Sequence, residues 1–587
     1  MLRRPQDTNG GFLRNTLRRL SKHRLDRLRQ EHGMSGQNGG QDSAGGGGEC
    51  YRGFSPAYWA FTKQPLTQTL SKLNEQEEQE MLQVFQSVLT YAGLGQNGDT
   101  VCRAEDERIT IAQSILEKCM HKDTMLGELY LQLIKQTTAH PDRDSRANLR
   151  HWALLALACS VALPQQKPLR RYLIAHLKRC AGDHVTEEGK FARFAEKCLF
   201  RTQGTRRRQW PPSRDEILCT VNRRPVYARF YFMDGQYQSV EFHASCTARD
   251  VVELVREKIG LQADAKGYAI YEVLGTSERS LVPDEKVADV LSKWEKYRTA
   301  TQQALQQSQA ANGTSTLPKQ CRRQHHIFLF KKHLFLDQYM NLRDPVEKEL
   351  LYHQVLHDLR SDRFPITDME AVMLTALQAQ LELGDRRESA SAEDYRSVAG
   401  HCLPPRRAND VSADDVAMHH QSLRGMTAPE SKQSFLNLIR SWPLHRATIF
   451  DVMQSFTSNW PRVLWLAVDQ VGLHLLEHRS RNALCTYEYE SIASYSPALN
   501  CLMIITGSGK KQSKVILTTS QAFQVANLIK EYTDVVLSPQ EEKAPPPPPH
   551  NANQTATTET KKPPKSRAIT SILHKQSGAQ LVTPQPS

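Results

Sequence analysis

The sequence predicts a multidomain α+β chain: a helical bundle followed by a region that is first β-rich, then helical, then β-rich again. Three observations carry this. Apolar residues recur at helical spacing from Glu77 to Leu199, the period falls to two after Ile217, and RRRQWPPSRDEI (Arg206 to Ile217) separates the two regimes. Pro211 and Pro212 cannot both continue a helix, because each lacks an N–H and restricts the residue before it. Trp210 beside them is a large apolar anchor, so these three residues read as a packed interdomain joint. A chain of 587 residues holds roughly three to five domains of about 100–200 residues each.

With 76 Lys+Arg against 63 Asp+Glu, the formal charge is +13. That balance favours acidic partners: anionic lipid, nucleic acid or acidic protein surfaces. The 12 cysteines are scattered with no CxxC pair, the usage of a reducing compartment. No apolar run approaches the roughly 20 residues that span a bilayer, and the basic N-terminus lacks an apolar signal core. These features predict a cytoplasmic protein.

Residues 1–53 read as a disordered basic segment with glycine runs. Within it, Asn15 to Gln30 is helix-permissive, with Leu13, Leu17, Leu20 and Leu28 near one face among seven basic residues. It reads either as a solvated tail or as a helix for an anionic membrane or a partner groove. Residues 54–216 form the predicted helical domain. Met81, Val84, Phe85, Val88 and Leu89 make one stripe, and Leu126, Leu129, Tyr130, Leu133 and Ile134 a second. Trp152 to Leu163 is apolar on nearly every face, which places it at the centre. Leu169, Leu173 and Leu177 stripe the next helix, and Phe191, Ala195 and Leu199 close the set.

Residues 217–300 open with two β-rich runs flanking Asp234-Gly235, a hairpin turn signal. Thr247 caps a helix from Ala248 to Ile259, and Tyr268 to Leu274 is a further strand. Hairpin, helix, strand is the order of a ubiquitin-like fold. Residues 301–322 are polar and low in complexity, and read as a loop. Residues 323–430 form a mainly helical lobe. A β-prone run, Ile327 to Leu336, opens it. A helix starting at Pro345 and a capping box at Thr367 to Glu370 follow, and Arg386 to Pro405 is a polar insertion. Residues 431–538 carry seven short strand candidates and a closing helix, Ser520 to Val535, as a pleckstrin-homology-like β-sandwich requires. Residues 539–587 are Pro-, Thr- and Lys-rich and read as disordered. Within them Pro545 to Pro549 is either a spacer or a polyproline ligand for an SH3, WW or EVH1 module.

Leu126 to Leu177, with its YLQLIKQ helix, His140-Pro141, Trp-centred helix and YLIAHL, followed by the PPSRDEI joint, resembles a myosin tail homology 4 domain. Phe330 to Gln380 and Val463 to His478 resemble the second and third lobes of the FERM domains of myosin tails. The chain therefore resembles the tail of an unconventional myosin, nearest to the class-fifteen type; a motorless pleckstrin-homology/FERM adaptor with the same pair is the alternative. The resemblance implies a tail that binds cargo and cytoskeleton, linking membrane-protein tails or scaffold proteins to actin or microtubules. It implies a cytoskeleton-associated location at protrusions or the cell cortex.

Chemistry nearly appears three times. GSGKK (Gly507 to Lys511) lacks the earlier glycine and the hydroxyl after lysine that a phosphate loop needs, and reads as a hairpin turn. His401-Cys402 with Arg407 misses the spacing of a phosphatase cradle. His325-His326 and His419-His420 are adjacent rather than at ligand spacing. The expectation is no catalytic residue, no metal and no cofactor.

Two surfaces are therefore expected to bind. Arg170, Arg171, Lys178 and Arg179 with Arg206, Arg207 and Arg208 form a basic set for an acidic polymer such as a microtubule, or else a solvated helix face. The resemblance implies a second, peptide-binding groove between strand Ile492 to Ser496 and the closing helix, for cytoplasmic peptides of membrane or scaffold proteins. Its candidates are Ser494, Tyr495, Phe523, Asn527 and Lys530, with Phe523 reading first as core. Nucleic acid is the rival for the basic charge, but no reader motif accompanies it.

Overall fold

The computed structural model describes residues 56–95, 104–275, 277–312, 325–336, 343–478, 480–507 and 512–537. The basic N-terminal segment, Pro545 to Pro549 with the rest of the tail, and the Ser508 to Lys511 part of the GSGKK turn lie outside the described residues.

The first body is built from α1 (Glu75–Ala92), α2 (Glu105–Cys119), α3 (Asp123–Gln136), α4 (Arg146–Val161), α5 (Lys167–Ala181) and α6 (Glu187–Gln203). Asn74, Ser145 and Thr186 cap three of them through their side chains. Gly93 ends α1 at φ 88°, a conformation glycine adopts without a Cβ clash. The predicted stripes all face inward, and α4 runs through the centre, Trp152 to Val161 all buried. The Trp152 ring stacks on His176 at 5.4 Å.

A further helix, α7 (Arg214–Val221), follows the joint. The boundary expected at 216/217 falls inside it, and Ile217 belongs to the bundle core. Ser213 accepts a hydrogen bond from the Glu216 backbone N–H, the Ser-x-x-Glu signal of a helix start.

The next lobe contains β1 (Val226–Tyr231), β2 (Tyr237–Phe242), α8 (Ala248–Ile259), β3 (Tyr268–Leu274), β4 (Ser277–Ser280), α9 (Val287–Asn312) and β5 (Ile327–Lys332). The strand order is β2-β1-β5-β3-β4, with β5 parallel to β1 and antiparallel to β3. Two expectations are corrected. The stretch from residue 301 is not a loop from its start, because α9 continues to Asn312; TQQALQQSQAAN is rich in Ala and Gln, both good helix formers. The β-prone run at Ile327 belongs to this sheet rather than to the helical lobe. Phe328 stacks on Phe230 at 5.3 Å and Phe330 on Tyr268 at 5.1 Å.

The helical lobe comprises α10 (Pro345–Arg360), α11 (Asp368–Leu383), α12 (Ala392–Cys402), α13 (Ala413–Ser422) and α14 (Ala428–Ile439). The expected insertion at Arg386 to Pro405 contains α12, started by a Ser391–Asp394 capping box. The boundary at 430/431 cuts α14, whose Phe435, Leu436 and Ile439 pack in this lobe.

The last lobe has β6 (Thr448–Gln454), β7 (Val463–Val468), β8 (Gly472–Glu477), β9 (Ala483–Glu488), β10 (Ile492–Ala498), β11 (Cys501–Thr506), β12 (Ser513–Thr518) and α15 (Ala522–Val536). All seven expected strands and the closing helix are present, in the order β10-β11-β12-β6-β7-β8-β9. β11 pairs antiparallel with β12, from Cys501 opposite Thr518 to Thr506 opposite Ser513.

Candidate functional site: an interdomain weld and a strand–helix groove

Arginine three of the RRR run carries the joint. The Arg208 side chain is 0% exposed and donates to Glu216 (2.9 and 3.1 Å), Asp289 (2.5 Å) and the Ser292 hydroxyl (3.3 Å). Its backbone N–H donates to the Val161 carbonyl, so α4, α7 and α9 meet on one residue. Asp289 also accepts the backbone N–H groups of Gln209 (2.9 Å) and Trp210 (3.2 Å). Burial opposes the guanidinium charge, but Glu216 and Asp289 more than offset it and hold the pKa above its ordinary value.

Around this centre, Gln113 donates to the Pro212 carbonyl (3.0 Å) and Glu295 (2.7 Å), and Lys296 pairs with Glu117 (2.5 Å). Lys296 also sits 5.3 Å from the Trp210 ring centre. Trp210 and Pro211 are half-buried and Pro212 buried. The centre of the joint, however, is ionic rather than aromatic.

The basic set divides accordingly. Arg208 is removed from any docking surface by its burial. Arg207 pairs with Asp123, and Arg206, still exposed, pairs with Asp284 at 2.7 Å. Arg170 turns back to the Pro164 carbonyl (2.9 and 3.1 Å). Arg171, Lys178 and Arg179 remain exposed on α5.

β10 is an edge strand and α15 packs across it and β11. Ala522, Val525, Ala526, Leu528, Ile529 and Tyr532 face inward. Phe523, Asn527, Lys530 and Asp534, at i, i+4, i+7 and i+11, form the outward stripe. Phe523 is 57% exposed, which corrects its reading as core. Lys530 pairs with Asp534 at 3.1 Å. Ser494 and Ser496 are exposed on β10, while Tyr495 is half-buried against the lobe's core. Burial raises the Tyr495 phenol, and Asp534 adds to the shift.

The near-chemical motifs have structural placements. Cys402 is buried, its thiol pushed up to about 12 by burial. His326 stacks on Trp294 at 5.1 Å, and His420 is held by the Tyr395 hydroxyl (3.1 Å) and the Gly384 carbonyl (2.9 Å). Among the described residues no group of three or more His, Cys, Asp or Glu side chains converges as a metal site would. No described helix is long and apolar enough to cross a membrane.

Comparison with known proteins matches this arrangement module by module. A MyTH4 domain profile matches residues 112–219, an RA-like domain 224–332, the FERM central domain 337–450 and an IRS-1-type PTB domain 450–537. An uncharacterized Drosophila melanogaster protein, CG43867, is 25% identical over 438 residues, 69% of this chain. The chain spans only 23% of that relative's length. The MyTH4-FERM MF1 domain of Dictyostelium discoideum myosin VII shares the fold with a TM-score of 0.65 at 21% identity, covering 81% of this chain and 92% of that one. The C-terminal MyTH4-FERM domain of human myosin 7b, solved with the harmonin-a PDZ3 domain, superposes with a TM-score of 0.63 at 19% identity, covering 82% and 93%.

Proposed function

We propose that this chain, a MyTH4 domain joined to the three lobes of a FERM module as in myosin tails, is a docking platform that takes an extended peptide in the β10–α15 groove. The observation carrying this is the exposed edge of β10 beside an outward stripe headed by Phe523, an aromatic left 57% exposed on a helix whose other apolar face is buried. An edge strand offers unpaired N–H and C=O groups to an added strand, and the helix stripe supplies side-chain contacts. Ligands of this chemistry are cytoplasmic peptides of membrane or scaffold proteins, which the module would link to the cytoskeleton. Peptides selected by phage display on the tandem should lose at least about tenfold in affinity with Phe523→Asp or Asn527→Arg, the effect of removing an anchor. Undiminished binding to both variants would put the peptide site elsewhere.

The exposed part of the basic set supports a second contact, with an acidic polymer such as a microtubule. Arg171, Lys178 and Arg179 lie within about three helical turns on the outside of α5. Reversing all three to glutamate is expected to abolish co-sedimentation with microtubules at low salt, and raised salt should mimic the variant. Co-sedimentation unchanged by the triple reversal would refute the contact.

A further inference from the structure

A small cavity lies in the seam between the helical bundle and the first FERM lobe. It is lined from the bundle side by Arg201, Thr202 and Thr220, and from the lobe side by Arg224, His243 and Ser245, among others. No carboxylate lines it among the described residues, although the chain around it is rich in them. Three of the nearby acids are engaged: Glu216 by Arg208, Asp284 by Arg206, and Asp250 by the Thr247 cap.

The donors left over point to an anion. Arg201 and Arg224 are both exposed at the mouth, and neither has a carboxylate partner among the described residues. Arg201 Nη1 lies 2.9 Å from His243 Nδ1. Because a guanidinium only donates, Nδ1 accepts, and the neutral ring carries its hydrogen on Nε2. Burial, with Arg201 and Lys197 nearby, keeps that ring neutral by lowering its pKa to about 4. Deeper in, the Thr202 hydroxyl is buried with no hydrogen-bond partner, in a residue only 4% exposed. Such an orphan is costly unless something fills it. The inner volume, about 20 Å3, admits one oxygen-sized group.

We infer that this seam cavity binds a phosphate monoester, one oxygen seated against Thr202 and the remainder held between Arg201 and Arg224. Two guanidiniums with one buried, unpartnered hydroxyl are the donor set such a group requires. Because its walls come from both modules, the bound group would bridge them.

The test uses the full chain and three probes: inorganic phosphate, inositol trisphosphate, and phosphatidylcholine vesicles with or without phosphatidylinositol bisphosphate. Calorimetry is expected to show binding that Arg201→Gln with Arg224→Gln weakens at least about tenfold, as loss of charge-assisted bonds predicts. Lys258→Gln with Lys266→Gln, an exposed basic pair away from the seam, should change it less than about twofold. Thr202→Val, which keeps shape and removes only the orphan hydroxyl, should weaken binding without lowering the unfolding midpoint, and serves if the double variant misfolds. The His243 ring resonances should move on titration. Binding of the soluble probes assigns a free phosphate ester, and binding only to the phosphoinositide vesicles assigns a lipid headgroup; both support the site. Absence of binding to every probe, equal loss in the two double variants, or static His243 signals during binding would overturn it.

Discussion

Arg208→Met is expected to cost the tandem about 3–5 kcal/mol and to expose its joint to proteases, the largest effect of any single change outside the apolar cores. Methionine nearly matches the volume, so the loss is not one of packing. What remains is Glu216, 1% exposed, and Asp289, 10% exposed, with no cation at ion-pair distance from either among the described residues. Removing one partner of a buried ion network leaves uncompensated charge in a poorly solvating site, and that desolvation sets the magnitude. Asp289 would still accept the Gln209 and Trp210 N–H groups, so Arg208→Met with Glu216→Met should recover much of the loss. Urea denaturation of the three proteins gives the energies. Small-angle scattering and limited proteolysis at Gln209 to Ser213 report whether the bundle and the first lobe separate. A loss under about 1 kcal/mol, the scale of a surface pair, would show that the network does not hold the seam.

Lys332→Met is expected to be nearly as damaging, at the junction between the first and second FERM lobes. The Lys332 ammonium, 4% exposed, donates to Glu347 Oε1 at 2.7 Å, and Glu347 is 1% exposed. Tyr268 reaches the same carboxylate oxygen at 3.4 Å, and Glu347 Oε2 already has no partner. Without the lysine the carboxylate is stranded between β5 and α10, at a cost of about 3–5 kcal/mol. Pairing Lys332→Met with Glu347→Leu should restore most of it, because an apolar pair of similar volume substitutes well for a buried ion pair. Denaturant midpoints of single and double variants decide the matter. Equal losses in both would mean that packing, not charge, is responsible.

Both junctions show why charge is hard to read from a string of residues. In the RRR run, successive side chains point in different directions. Arg206 reaches solvent and Asp284, Arg207 reaches Asp123, and Arg208 turns into the protein. All three are one letter, and only the acids brought to each position by distant segments distinguish them. Phe523 is the converse case, an apolar letter on an amphipathic helix that tertiary packing leaves in water.

Elements that advertise themselves by an apolar period were legible: the bundle stripes, the Trp152 helix, and the seven strands with their closing helix. The edge strand and the closing helix beside it were legible for the same reason. The extension of α9 to Asn312 was hidden because that polar stretch has no apolar stripe to reveal it. The starts of α7 and α12 did carry signals, Ser213-x-x-Glu216 and Ser391-x-x-Asp394.

By itself the sequence determined the order of modules and the faces that become cores, because apolar periodicity acts over a few residues and is written locally. Tertiary structure alone decided that β5 joins the first lobe's sheet, that Arg208 is an internal weld, and that Arg201, Thr202, Arg224 and His243 share a cavity. Those outcomes depend on which remote backbone arrives beside each group, and on whether water or a counter-charge then compensates it.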